Sequence, residues 1–163
     1  MSYAIATVTR NYVGDYLSAV SETPSYALMG LGVVQVDESP GAKVDKTPFV
    51  NNTSATGTIT GYERTFPFDV QLRTGEAAIV KLYDIARGSL IGSSAELYYV
   101  RADLFETAVT GTYSARRFKV AVEITNVQGA GTEIIHITGN FHQVGDYTEG
   151  TFNPTTLAFV ADA

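Results

Sequence analysis

The segment FKVAVEITNVQGAGTEIIHITGNF, residues 118–141, alternates apolar and polar side chains over much of its length. Phe118, Val120, Val122 and Ile124 fall on one side of an extended chain, and Lys119, Ala121, Glu123 and Thr125 on the other. Successive side chains of a strand point to opposite faces, so a period of two marks a half-buried β-strand. Gln128-Gly129-Ala130-Gly131 interrupts the pattern, and glycine tolerates the positive φ of tight turns. The spacing predicts one long hairpin over 113–144, with 113–127 paired to 133–144. One face asks for a core and the other for water.

Other stretches show the same alternation. Over 62–73, Tyr62, Arg64, Phe66, Phe68, Val70 and Leu72 alternate with Glu63, Thr65, Pro67, Asp69, Gln71 and Arg73. Arg64 breaks the apolar side. Pro67 has no N–H to give a ladder, which predicts an edge, a bulge or a break. Residues 95–106 predict a strand with Tyr98, Val100, Ala102 and Leu104 toward the core, and 155–160 a last strand. Residues 26–37 are strand-like and apolar on both sides, so both faces should be covered. Ile79, Leu82, Tyr83 and Ala86 fall at i, i+3, i+4 and i+7, one stripe of a helix spanning 75–87. Thr74 is placed to cap it, Glu76 suits its positive end, Arg87 its negative end, and Gly88 can stop it. One helix among roughly six antiparallel strands predicts a mainly β fold, a β-sandwich or barrel with one flanking α-helix.

Two segments fit a compact monomer poorly. Residues 1–25 mix tyrosines with polar residues without a clear period and read as an N-terminal arm. Residues 39–54 read as a long loop with Pro40 and Pro48, and loops of that length inside compact domains are usually functional or disordered. The whole chain, 163 residues, fits a single domain, 1–163.

Composition narrows the function. With 45% hydrophobic and 17% charged residues the chain can bury a core. A formal net charge of −6 argues against gripping phosphates, which needs a local excess of Lys and Arg. The densest basic cluster is Arg116-Arg117 with Lys119. There are no cysteines, which excludes disulfides and thiolate metal sites. The first residues lack a positive start followed by an apolar core, so no signal peptide is expected, and 26–36 is too short to span a bilayer. A soluble protein made in the cytoplasm is the expectation.

Chemistry is hard to find. His136 and His142 share one strand and one face but stand about 20 Å apart along it, too far to share a metal within one chain. No carboxylate pair has a recognisable catalytic context. The hydrolase and metalloprotease motifs G-x-S-x-G and H-E-x-x-H are missing, as are both phosphate-binding glycine patterns. The Gly129-Ala130-Gly131 run reads as a turn. Asn51-Asn52-Thr53 matches a glycosylation acceptor, a common chance match. Most of the ten tyrosines and eight phenylalanines sit at core-parity positions. No catalytic, cofactor-binding or metal-binding residue is therefore assigned, and no cofactor is expected.

A dispersed pattern nevertheless carries a resemblance. It runs from about Tyr26 onward through Met29-Gly30, Ser39-Pro40, and Thr60-Gly61-Tyr62-Glu63 leading into Phe66 and Phe68. The helix with Glu76 and Arg87 follows, then Gly92 and Ala95-Glu96 before a tyrosine-rich strand. Ala115-Arg116-Arg117-Phe118-Lys119-Val120-Ala121-Val122, Gly139-Asn140, Gly145-Asp146 and Gly150-Thr151-Phe152 complete it. In the order and spacing of these pieces the chain resembles the major tail tube proteins of long-tailed bacteriophages infecting Gram-positive hosts. The resemblance implies a non-enzymatic virion protein with a β-sandwich core, made in the bacterial host. It implies hexameric rings stacked into a tube, with the tape-measure protein and genomic DNA in the lumen and no membrane insertion. Whether a contractile sheath surrounds the tube is left open.

On this expectation the polar face of the hairpin looks into the lumen, where Glu123 and Glu133 are candidate acids. An acidic or neutral bore would repel phosphates over about a Debye length and would not hold its cargo. The segments 39–54 and 1–25 would reach neighbouring subunits, so deleting 41–52 should leave a folded monomer that cannot polymerise. The alternative is a carbohydrate-binding or adhesion β-sandwich module, which needs exposed aromatics on one face and no self-assembly.

Overall fold

The structure, a computed structural model, describes residues 13–162. In chain order its elements are β1 (Gly14–Ala19), β2 (Ala27–Leu28), β3 (Val33–Val36), β4 (Ala42–Thr47), β5 (Thr56–Tyr62), β6 (Thr65–Gln71) and α1 (Ala77–Gly88). A short 3-10 turn (Gly92–Ala95), β7 (Glu96–Ala102), β8 (Tyr113–Gln128), β9 (His136–Gln143), β10 (Thr148–Asn153) and β11 (Ala158–Ala161) follow. Nine strands make one antiparallel sheet, in the order β2-β1-β7-β8-β9-β6-β3, with β10 beside the start of β8 and β11 beyond it. The sheet curls into a half-barrel with α1 against it. Among the described residues β4 and β5 pair only with each other.

Two apolar clusters hold the sheet. The larger lies between α1 and one face. It joins Ile79, Leu82 and Ile85 of the helix to Phe66, Val70, Leu97, Tyr99, Phe118, Val120 and Phe141. The smaller lies on the other face, where Tyr16, Tyr26, Val100, Ala102, Leu104, Ala115 and Phe152 meet. Because both faces of β7 are covered, its burial does not follow the expected parity. Val100, Ala102 and Leu104 are buried as expected. Tyr98 is only half-buried, and Leu97 and Tyr99, outward by parity, belong to the larger cluster.

The long hairpin forms from β8 and β9, and Phe118, Val120 and Val122 are buried on its inner face. Its alternation is broken once. Ile124 pairs with Gly139 and Asn126 with Thr138, so Thr125 is an extra residue in a β-bulge and the parity flips beyond it. The chains close in so tightly here that a Cβ on Gly139 would lie 2.0 Å from the Glu123 carbonyl oxygen. β6 buries Phe66, Phe68 and Val70 as the alternation requires. Pro67 does not interrupt it: its carbonyl accepts from the Asp37 N–H at 2.9 Å just where β3 ends, so one return bond is lost and the pairing with β9 continues.

Several expectations are corrected. The helix starts at Glu76, whose side chain makes no capping bond, and not at Thr74. Its left-handed end residue is Ser89, with φ of 48°, while Gly88 is still helical. Residues 26–37 are not one covered strand. They split into β2 and β3 around a turn at Gly32, and Leu28, Leu31 and Val34 are exposed. Of the expected arm, residues 1–12 lie outside the described residues. The rest includes β1, an interior strand between β2 and β7 that buries Tyr16, Leu17 and Ser18 in succession. The expected loop over 39–54 is largely the first half of the β4–β5 ribbon. The last strand begins at Ala158, after a turn in which Asn153 Oδ1 accepts from the Thr155 and Thr156 N–H groups.

Candidate functional site

Three surface features stand apart from the two cores, and one charged cluster borders the larger core through Tyr99. The first feature is the β4–β5 ribbon. Apart from half-buried Gly61, every residue of both strands is exposed. Ala42 pairs with Tyr62 and Val44 with Ile59, so Thr60 is bulged and the four side chains share one face. That face is apolar and uncovered, with Val44, Ile59 and Tyr62 each at least half exposed. Phe49 and Val50 extend it at the tip. Gly41 turns the chain into the ribbon at φ of +61°, and a Cβ there would lie 2.2 Å from the Glu63 carbonyl oxygen.

The second feature is an unfinished sheet. β7 pairs with β8 only as far as Ala121. From 122 to 128, β8 continues with β9 as its only strand partner among the described residues. β11, β3 and β2 are also edges, and Val160, Val34 and Leu28 are exposed along them. Unpaired strand edges are templates for pairing with another chain.

The third feature is the polar face of β6, β8 and β9 turned away from α1. His142 Nε2 lies 2.9 Å from Glu123 Oε1, and Asn140 Nδ2 donates to the same oxygen at 3.0 Å. These bonds, from His142 first, hold the Glu123 carboxyl below the ordinary glutamate range. His136 Nδ1 lies 2.9 Å from Asp69 Oδ1. The two histidines thus share a face but each has its own carboxylate, and among the described residues no group of three or more His, Asp or Glu could hold a metal ion. Glu133, the other candidate lumen acid, lies not on this wall but in the loop at its end. There it borders a cleft of about 330 Å³ with Gln128, Ile134 and His136.

The cluster is one that the sequence did not announce. Arg116 donates to both oxygens of Glu38, at 2.8 and 2.9 Å. Arg64 Nε lies 2.8 Å from Glu38 Oε2, at an angle that makes an ion pair without a hydrogen bond. Arg101 Nε approaches the same carboxylate at 3.8 Å, and Arg101 Nη1 reaches Asp15 at 3.6 Å and the Tyr99 hydroxyl at 3.1 Å. The Tyr99 hydroxyl donates in turn to Asp15. Burial is the largest influence on Asp15 and raises its pKa despite Arg101 and Tyr99. Burial also opposes the charge on Glu38, but Arg116, Arg64 and Arg101 outweigh it and lower its pKa. Arg64 showed in the sequence only as a break in an apolar face. Arg117, the neighbour of Arg116 in the expected basic cluster, points the other way, over the Tyr98 and Phe159 rings.

No helix among the described residues is long and apolar enough to cross a membrane. No family model and no curated protein matches the chain. Among solved structures it is similar to a chain of the anti-feeding prophage (AFP) baseplate, determined by cryo-EM with 6-fold symmetrisation. The TM-score is 0.46 at 6% identity, over 86% of this chain and 93% of that one. A likeness of that degree does not bear on function.

Proposed function

We propose that this chain is a self-assembling structural subunit of a virus particle, and specifically a tail tube subunit whose rings stack into a conduit for DNA. The observation that carries the reading is the open edge of the sheet: among the described residues, β8 runs on from 122 to 128 with a strand partner on one side only. Elsewhere on the subunit, an apolar ribbon stands clear of both cores. An open strand edge and a patch of exposed apolar side chains are each a liability in a permanent monomer. Identical copies supply strand partners for the edge and cover for the ribbon at once. The dispersed sequence pattern supports the same reading independently.

β8, β9, β6 and β3 are four contiguous strands of the sheet. Six subunits contributing four strands each, at about 4.8 Å spacing and about 40° tilt, close a ring roughly 45–50 Å across its backbone. Side chains leave a bore of about 35–40 Å, wide enough for a DNA duplex and water. The polar face carrying Glu123, Asn140, His142 and Asp69 becomes its wall. A wall that offers carboxylates and amides without a stripe of arginines gives phosphates little to hold.

Negative-stain microscopy of the concentrated purified protein tests this. Rings or tubes of uniform bore are expected. Persistent monomers would overturn the reading, and monomers that bind glycans would replace it with an adhesion module.

A further inference from the structure

Among the described residues the β4–β5 ribbon pairs with no strand of the main sheet, and all its strand residues but Gly61 are exposed, so its direction is set at its root. There the chain enters through Glu38-Ser39-Pro40 and returns through Glu63-Arg64-Thr65. Ser39 and Thr65 exchange backbone hydrogen bonds of 2.8 and 2.9 Å. The Glu63 N–H donates to the Gly41 carbonyl at 3.0 Å just beyond that pair, and a two-stranded neck held by these three bonds restrains separation of the legs better than rotation of the ribbon against the sheet. Each leg also turns one side chain inward to the same place. Glu38 from the incoming leg and Arg64 from the returning leg meet at 2.8 Å, and the Arg116 fork of β8 grips the Glu38 carboxylate with two further bonds. The fork is itself braced, since the Arg116 guanidinium lies 5.3 Å from the centre of the Phe118 ring.

We propose that Glu38 is a pin that fixes the direction of the ribbon in the free subunit, by locking both legs of its root to β8. The geometry is that of a positioning device. A bidentate guanidinium–carboxylate pair fixes orientation as well as distance. Glu38 is 18% exposed and belongs to neither apolar cluster, so its loss leaves both cores intact and frees what hangs from them. A ribbon already aimed loses less freedom on docking, which favours association. This last step rests on the assembly reading above; the pin does not.

Backbone order parameters from nuclear magnetic resonance on dilute monomer test it, because they report whether the ribbon moves against the sheet. In the unmodified chain the ribbon strands should show values near those of rigid backbone, about 0.85. In Glu38→Gln they should fall below about 0.6 while β7, β8 and β9 stay rigid. Arg116→Lys keeps the charge and loses the fork, and should fall between. The Lys43–Glu63 pair, 3.0 Å apart but 57% and 75% exposed, serves as the control. Lys43→Gln should leave the ribbon rigid, as expected for an exposed pair. Ribbon values unchanged in Glu38→Gln would overturn the pin. So would a fall spread evenly over the sheet, which would make Glu38 a general stabiliser. The onset concentration for polymerisation forms the second arm and should rise in Glu38→Gln by roughly tenfold. A loosened ribbon in a protein that never polymerises, unmodified or not, would sink the assembly reading and leave the pin standing.

Discussion

Glu38 and Asp15 belong to one cluster and respond to acid in opposite senses. The Glu38 pKa is lowered in the fold, so the stability its ionised form contributes is complete above the unfolded-chain value, roughly 4.3. It is lost as pH falls through the lower folded value. The Asp15 pKa is raised, chiefly by burial. Its contribution is complete below the unfolded-chain value, roughly 3.9, and is lost as pH rises through the folded value. Thermal unfolding between neutral pH and pH 3 should separate them. Asp15→Asn should remove a stabilisation that the unmodified chain gains on first acidification, and Glu38→Gln should remove a loss at the acid end. At neutral pH Glu38→Gln should cost about 1–2 kcal/mol, between the values for an exposed and a fully buried pair. Identical pH slopes in the two variants would show that the cluster does not divide the two carboxylates in this way. At this scale the sequence showed little. Arg64 was visible as an intrusion in an apolar face, but its partners come from positions 38 and 143, far along the chain.

At the scale of elements, legibility followed burial. β6, β8 and the stripe of α1 have one covered face and one wet face, and that difference is what a period of two or 3.6 reports. β1 was missed because Tyr16, Leu17 and Ser18 are all buried, leaving no alternation to read. The ribbon was missed for another reason. The bulge at Thr60 puts Ile59 and Tyr62 on one face although they are three apart, which breaks the period, and Lys43, Asp45 and Lys46 look like loop. The two prolines completed that impression. The ribbon also moves the natural cut. Ala42 and Tyr62 are paired at its base, so replacing 43–61 by a two-residue turn removes it whole, whereas deleting 41–52 would leave β5 without a partner. Because the ribbon contributes to neither core, the excised protein should unfold within a few degrees of the parent, a change of about 1 kcal/mol or less. It should remain monomeric by sedimentation where the parent polymerises. Polymers of normal size from the excised protein would remove the ribbon from assembly.

Across the whole molecule, the proposed assembly rests on a half-barrel in which, among the described residues, one stretch of β8 lacks a second strand partner, and on a net charge of −6. On that proposal, like charge keeps copies apart at low concentration, and strand edges with apolar cover hold them together once oriented. Salt should therefore lower the concentration at which association begins, by screening that repulsion. The most direct measurement is amide hydrogen exchange across a concentration series, read at residues 122–128. At low concentration the amides on the open side of that stretch should exchange freely, and they should become protected as rings or tubes form. Amides already protected in a subunit that stays monomeric at every concentration would show that the sheet is complete in one chain, and would contradict the account.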